Sequence, residues 1–157
     1  MGQKKPLVLG SDNVPQQLQA GDYIQTAELP QLTNGEAGSI VIGAPVYNSA
    51  NDTVKKAKAD AGGTLPCIGL VADTSIATGV TGGIMCGKGS ILSATTGQWD
   101  AVTGGSGGLV ANTLYYVSTA TAGLLTTTPP TTGYSQVVGR AISTTEMRLD
   151  IQDAYKL

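Results

Sequence analysis

The sequence predicts an all-β protein: a small barrel or sandwich body of two similar β lobes, preceded by an extended N-terminal arm. Three observations predict it. Only 13% of the 157 residues are charged, against roughly 25% in ordinary soluble domains, so the Glu, Lys and Arg that build amphipathic helices are scarce. The 22 glycines, with abundant Thr and Ser, supply turn formers and β-branched residues instead. Short apolar runs recur between turn signals roughly every 8–12 residues, as in barrels and sandwiches. Hydrophobic residues make up 41% of the chain, and with no Phe, one Trp and six Tyr the core must rest on Val, Ile and Leu.

Residues 1–38 read as the arm. They carry Pro6, Pro15 and Pro30, the glutamines Gln16, Gln17 and Gln19, and the turn pair Asn34–Gly35. Apolar residues are sparse, so this segment buries little surface alone and is expected to lie extended against a partner. Leu18, Tyr23 and Ile24 are its candidate anchors, being the bulky apolar groups of a polar stretch. The apolar run Leu7–Leu9 is shorter than the about 7–15 residues of a secretory signal. Pro6 stands where a myristoylation motif wants Ser or Thr, and no run approaches the ~20 apolar residues of a membrane span.

Residues 39–157 read as the body. Strand, turn and strand follow one another in VYNSANDTVKKA, with the turn at Asn48–Asp52, and PCIGLVADTSI is the most apolar strand. Shorter strands are expected over Gly83–Cys86, Gly89–Ala94 and Gln98–Val102, a flexible loop over Gly104–Gly108, and a last strand from Glu146 to Ile151. Helix is expected for one short turn at most, with Thr53–Ala61 the best candidate. The second half echoes the first. Ile68-Gly69-Leu70-Val71-Ala72 precedes Val138-Gly139-Arg140-Ala141-Ile142 by about 70 positions, and Tyr47 and Tyr116 fall at nearly the same offset. A fixed offset is the mark of an internal duplication, with units at about 39–80 and 109–151.

The chemistry-bearing patterns each read structurally. Gly82 to Lys88 has the spacing of a phosphate loop, but Gly89 stands where the magnesium-binding hydroxyl belongs and the following residues are strand-like. There is no His, so the commonest general base and metal ligand are both missing, and two cysteines alone do not close a zinc site. No cofactor and no metal are expected. Cys67 and Cys86 lie in apolar, strand-like surroundings; buried packing as small apolar groups is favoured over a disulfide or a reactive thiol. Asp73 and Asp100, the only acids between Ala61 and Arg140, read as turn caps rather than as a hydrolytic pair. Lys55, Lys56 and Lys58 form the one basic cluster, read as a solvated strand edge that blocks aggregation, with contact to an acidic patch on a partner as the alternative. Asn51-Asp52-Thr53 is a glycosylation sequon by pattern alone. With a net charge of −2 and only that one small basic cluster, neither nucleic acid nor membrane is expected as a partner.

The stretch Leu9-Gly10-Ser11-Asp12-Asn13-Val14-Pro15-Gln16-Gln17-Leu18-Gln19-Ala20-Gly21-Asp22 resembles the leader of tailed-phage fibre and head-appendage proteins, with Asn13 where Gly is common. Gly43-Ala44-Pro45-Val46-Tyr47 followed by Ile68-Gly69-Leu70-Val71-Ala72 resembles the small β proteins that decorate phage capsids. The resemblance covers most of the chain. It implies a virion structural protein without catalytic residues, made in the bacterial cytoplasm and mounted on the outer surface of the phage head. Its implied partners are the major capsid protein and further copies of itself, commonly as a homotrimer. The rival reading is a tail- or head-fibre component that binds host surface glycans, which needs an exposed aromatic platform; Trp99, Tyr115 and Tyr134 are its only candidates.

Overall fold

A computed structural model describes residues 29–157 and, ahead of them, the strands β1 (Leu7–Leu9) and β2 (Pro15–Gln17). These two pair antiparallel, Leu7 opposite Gln17 and Leu9 opposite Pro15. The described residues are nearly all β, with one α-helix.

The first lobe contains β3 (Gln31–Asn34), β4 (Ile40–Val41), β5 (Pro45–Ala50), β6 (Thr53–Lys56), β7 (Gly69–Val71), β8 (Ser75–Ile76) and β9 (Thr81–Met85). Five of these close into a barrel in the order β3-β6-β5-β7-β9. The β5–β6 hairpin turns at Asn51–Asp52, where Asp52 takes φ 52°, a left-handed conformation that a short polar side chain tolerates. β3 is the closing strand: it runs parallel to β6, Thr33 opposite Thr53, and antiparallel to β9, Leu32 opposite Gly82. β4 pairs with β8 apart from that ring, and its pairing buries Ile40 and Ile76.

Two expectations are corrected here. The body begins before residue 38, because β3 lies inside the segment assigned to the arm and is bonded to a strand on each side. Buried Asn34 fixes it further, donating from Nδ2 to the carbonyls of Gly38 (2.9 Å) and Ile76 (2.8 Å) and accepting from the Glu36 N–H (2.7 Å). The helix candidate Thr53–Ala61 is a strand over Thr53–Lys56, since its β-branched start fits between β5 and β3.

The second lobe contains β10 (Ile91–Ser93), α1 (Thr96–Thr103), β11 (Leu114–Val117), β12 (Leu125–Thr126), β13 (Tyr134–Ser135), β14 (Val137–Ala141), β15 (Glu146–Leu149) and β16 (Tyr155–Lys156). Its main sheet has the order β10-β15-β14-β11-β12. Taken by position in the chain, this is the strand order of the first lobe. The registers correspond as well. Val46 faces Gly69 as Tyr115 faces Gly139; Tyr47 faces Lys55 as Tyr116 faces Thr126; Leu70 faces Met85 as Arg140 faces Arg148. The repeated unit spans residues 31–85 and 91–149, wider than the echo in the sequence.

The lobes differ in closure. The first is a barrel, whereas β10 and β12 do not pair with each other and the second sheet stays open. Between β10 and β11 stands α1, where the sequence pattern puts a strand over Gln98–Val102. A reciprocal cap decides for helix: the Gln98 N–H donates to Thr95 Oγ1 (3.3 Å) and the Thr95 N–H donates to Gln98 Oε1 (2.8 Å). Gly104 ends the helix at φ 67°, its N–H donating to the Asp100 carbonyl.

One apolar core runs through both lobes, from Ile40 and Val46 to Met147 and Leu149. Each such side chain contributes about 1.5–3 kcal/mol by leaving water. Trp99 sits across the junction. Its Nε1 donates to the Thr145 carbonyl (2.9 Å), and a Cβ on Gly43 of the first lobe would stand 2.8 Å from Trp99 Cζ3. Backbone bonds cross too, Ala59 N–H to Ser118 O and Gly123 N–H to Ala57 O, each 2.9 Å.

Candidate interaction surface

The arm anchors Leu18, Tyr23 and Ile24 lie outside the described residues. The remaining sequence candidates fall in place, and most are spent on holding the fold. Gly82–Met85 belongs to β9 and the chain then passes to β10, so the phosphate-loop spacing lacks the helix it needs. Asp73 accepts from the Gly83 N–H (2.9 Å). Asp100 accepts from the N–H groups of Gly107 (3.1 Å) and Gly108 (2.8 Å), so each carboxylate caps a glycine segment near itself. Among the described residues, no group of three or more Cys, Asp or Glu side chains is placed to hold a metal ion, and no helix is long and apolar enough to cross a membrane.

The cysteines differ from the expectation of two buried thiols. Both are free; Cys67 is buried and Cys86 is exposed. Burial pushes the Cys67 thiol up to about 12, because a thiolate there would lose its water. Cys86 lies just past the end of β9, where the chain leaves the sheet. Cys67 is also half of the tightest polar contact between the lobes. Its N–H donates to Gln136 Oε1 (2.8 Å), and Gln136 Nε2 donates to the carbonyls of Cys67 (3.0 Å) and Gln152 (2.8 Å).

Lys55, Lys56 and Lys58 are half-buried rather than fully solvated. The Lys56 N–H donates to the Glu36 carboxylate (2.9 Å), and Lys58 pairs with Asp60 at 2.6 Å. Exposed Asp60 is held below the usual carboxylate range chiefly by its hydrogen bond from Lys58. The aromatic platform does not form from its three candidates. Trp99 and Tyr115 are buried and Tyr134 is half-buried, and the Tyr115 hydroxyl accepts from the Val110 N–H (2.9 Å).

What remains exposed and chemically distinctive is the outer face of the open sheet. Along β15, Met147 and Leu149 point inward while Arg148 points out. The register sets Ile91, Arg148, Arg140 and Leu114 in one row across β10, β15, β14 and β11. Arg140 and Arg148 are the only arginines in the chain. Their separate outward positions follow from alternation, but that they face each other depends on strand register, which the sequence does not state. No protein-family model, curated protein or solved structure matches this chain.

Proposed function

We propose that this chain is a capsid decoration, or cement, protein of a tailed bacteriophage. It is a virion structural protein without catalytic function, a homotrimer that binds the major capsid protein on the outer surface of the head and stabilises the shell. The arm lies across joints between capsid subunits, with Leu18, Tyr23 and Ile24 as its anchors, and the β body projects outward.

The observation that carries this reading is the joining of a phage-like leader to a body whose buried polar groups serve the fold. Asn34, Ser118 and Gln136 are all buried and all bonded to backbone. An enzyme keeps titratable groups poised in a cleft; here the named interior polar side chains are spent on backbone groups, Asn34 and Gln136 over long range and Ser118 within its own turn. A two-unit body of this kind suits permanent assembly, in which sheet edges are made harmless by being covered.

The test is a pull-down of the full chain on undecorated phage capsids, with light scattering on the free protein. Saturable binding by a trimer is the expected result. No binding, together with retention on a glycan array, would overturn it in favour of a fibre component.

A further inference from the structure

Arg140 and Arg148 are direct partners across β14 and β15. The Asp150 N–H bonds to Val138 O and the Ile142 N–H to Glu146 O. Ladder bonds alternate, so Arg140 and Arg148 form a hydrogen-bonded pair, with Cα atoms about 5.5 Å apart. Like charges directly opposite each other destabilise a sheet. The chain places its only two guanidinium groups in this arrangement, and no carboxylate among the described residues lies within ion-pair distance of either.

The surroundings define what would relieve it. Arg140 Nη1 donates to Asn112 O (2.7 Å) and Asn112 Oδ1 (3.2 Å), and its other N–H groups have no partner among the described residues. Exposed Arg148 makes no hydrogen bond to the described residues. It walls two shallow depressions, one of about 340 Å³ shared with Asn112, Arg140, Ala141 and Ile142, the other of about 230 Å³ shared with Lys88, Gly89, Leu149 and Asp150. The nearby acid Asp150 is already taken by Lys88 at 2.9 Å, and Glu146 lies two residues along the strand. Apolar side chains flank the pair: Ile91, directly opposite Arg148, is 50% exposed and Ile142 is 48% exposed.

We propose that this face docks an acidic polypeptide segment. One of its carboxylates bridges Arg140 and Arg148, and the apolar side chains beside that carboxylate rest on Ile91 and Ile142. A guanidinium group meets a carboxylate through parallel N–H···O bonds, and the two carboxylate oxygens have lone pairs enough to accept from both arginines. The apolar flanks favour a polypeptide over a phosphate backbone, which would call for a longer run of cations. The proposal does not depend on the capsid reading.

The test uses the full chain, labelled with ¹⁵N, and a short capped peptide of alternating Glu and Val. A Lys/Val peptide and inorganic phosphate serve as comparisons. The Glu/Val peptide is expected to shift the amides of Ile91, Arg140, Ile142 and Arg148. Arg148→Ala is expected to weaken it about tenfold, and Arg148→Glu to abolish it, because the new carboxylate stands directly opposite Arg140 and pairs with it. Arg148→Thr provides an independent reading: with the like-charge contact removed, the thermal midpoint rises. Unmoved amides, equal binding by Arg148→Glu, saturation by phosphate at the same concentration, or a lowered midpoint for Arg148→Thr would each overturn the proposal.

Discussion

Gly69 and Gly139 occupy equivalent places, and space accounts for both. A Cβ on Gly69 would stand 2.5 Å from Ile84 Cγ2 and 2.7 Å from the Met85 carbonyl oxygen, and one on Gly139 would run into the Arg148 carbonyl oxygen. Ala at either site is therefore expected to cost about 1–3 kcal/mol in denaturant unfolding, the usual cost of overpacking. Gly97, in the first turn of α1 with open space around it, is the contrast: Gly97→Ala should stabilise by about 0.5–1 kcal/mol. The Gly69/Gly139 echo was legible in the sequence because a close strand crossing admits no side chain. Burial of Cys67 was legible from its apolar surroundings; exposure of Cys86 was not, since it depends on β9 ending at Met85, one residue earlier. Cys67 also sets a pH dependence. Its folded value of about 12 lies above the ordinary 9.0. Between these values the unfolded chain releases a proton that the folded chain keeps, so stability is complete below about pH 9 and falls as pH rises toward 12. Denaturation midpoints of the wild type and Cys67→Val should diverge in that window, with the variant falling less steeply.

At the scale of elements, β3 separates a barrel from an open sheet. Its bonds to β6 and β9 make it part of the body, so two truncations should behave differently. Removal of residues 1–28 leaves every strand of the body in place, and circular dichroism should show cooperative melting. Removal of residues 1–38 takes out β3 and buried Asn34, exposes the facing edges of β6 and β9, and should abolish that cooperative transition. The sequence pattern concealed β3 because Gln31-Leu32-Thr33-Asn34 has one strongly apolar residue and no clear alternation. Helix α1 was concealed differently. Its interior is poor in helix formers, and the signal that decides it, Thr95 with Gln98, is a capping pair rather than an apolar stripe. Strands with inward Leu, Val or Met at every second position, such as β15, were plain from the sequence.

At the scale of the whole molecule, two copies of one strand order share a single core and are joined by contacts that belong to neither copy alone. Gln136 is the most exacting of these. Gln136→Leu keeps the apolar volume but leaves the Cys67 N–H and two carbonyls without their partner. It should cost about 2–4 kcal/mol in denaturant unfolding, from orphaned buried groups at about 1–3 kcal/mol each. Duplication could be read from the sequence because side-chain spacing is inherited by both copies. Unequal closure could not, because it depends on whether β6 and β12 meet the first strand of their unit. That inequality has a mechanical side. The chain enters the body through β3, which is held along both flanks by β6 and β9. Tension arriving from the N-terminal side therefore loads these bonds together, in shear. At the other end β16 holds to β13 alone, over two residues, and would peel away one bond at a time. A pull from the tail would thus free β16 first and only then reach β15, which like β3 is held along both flanks.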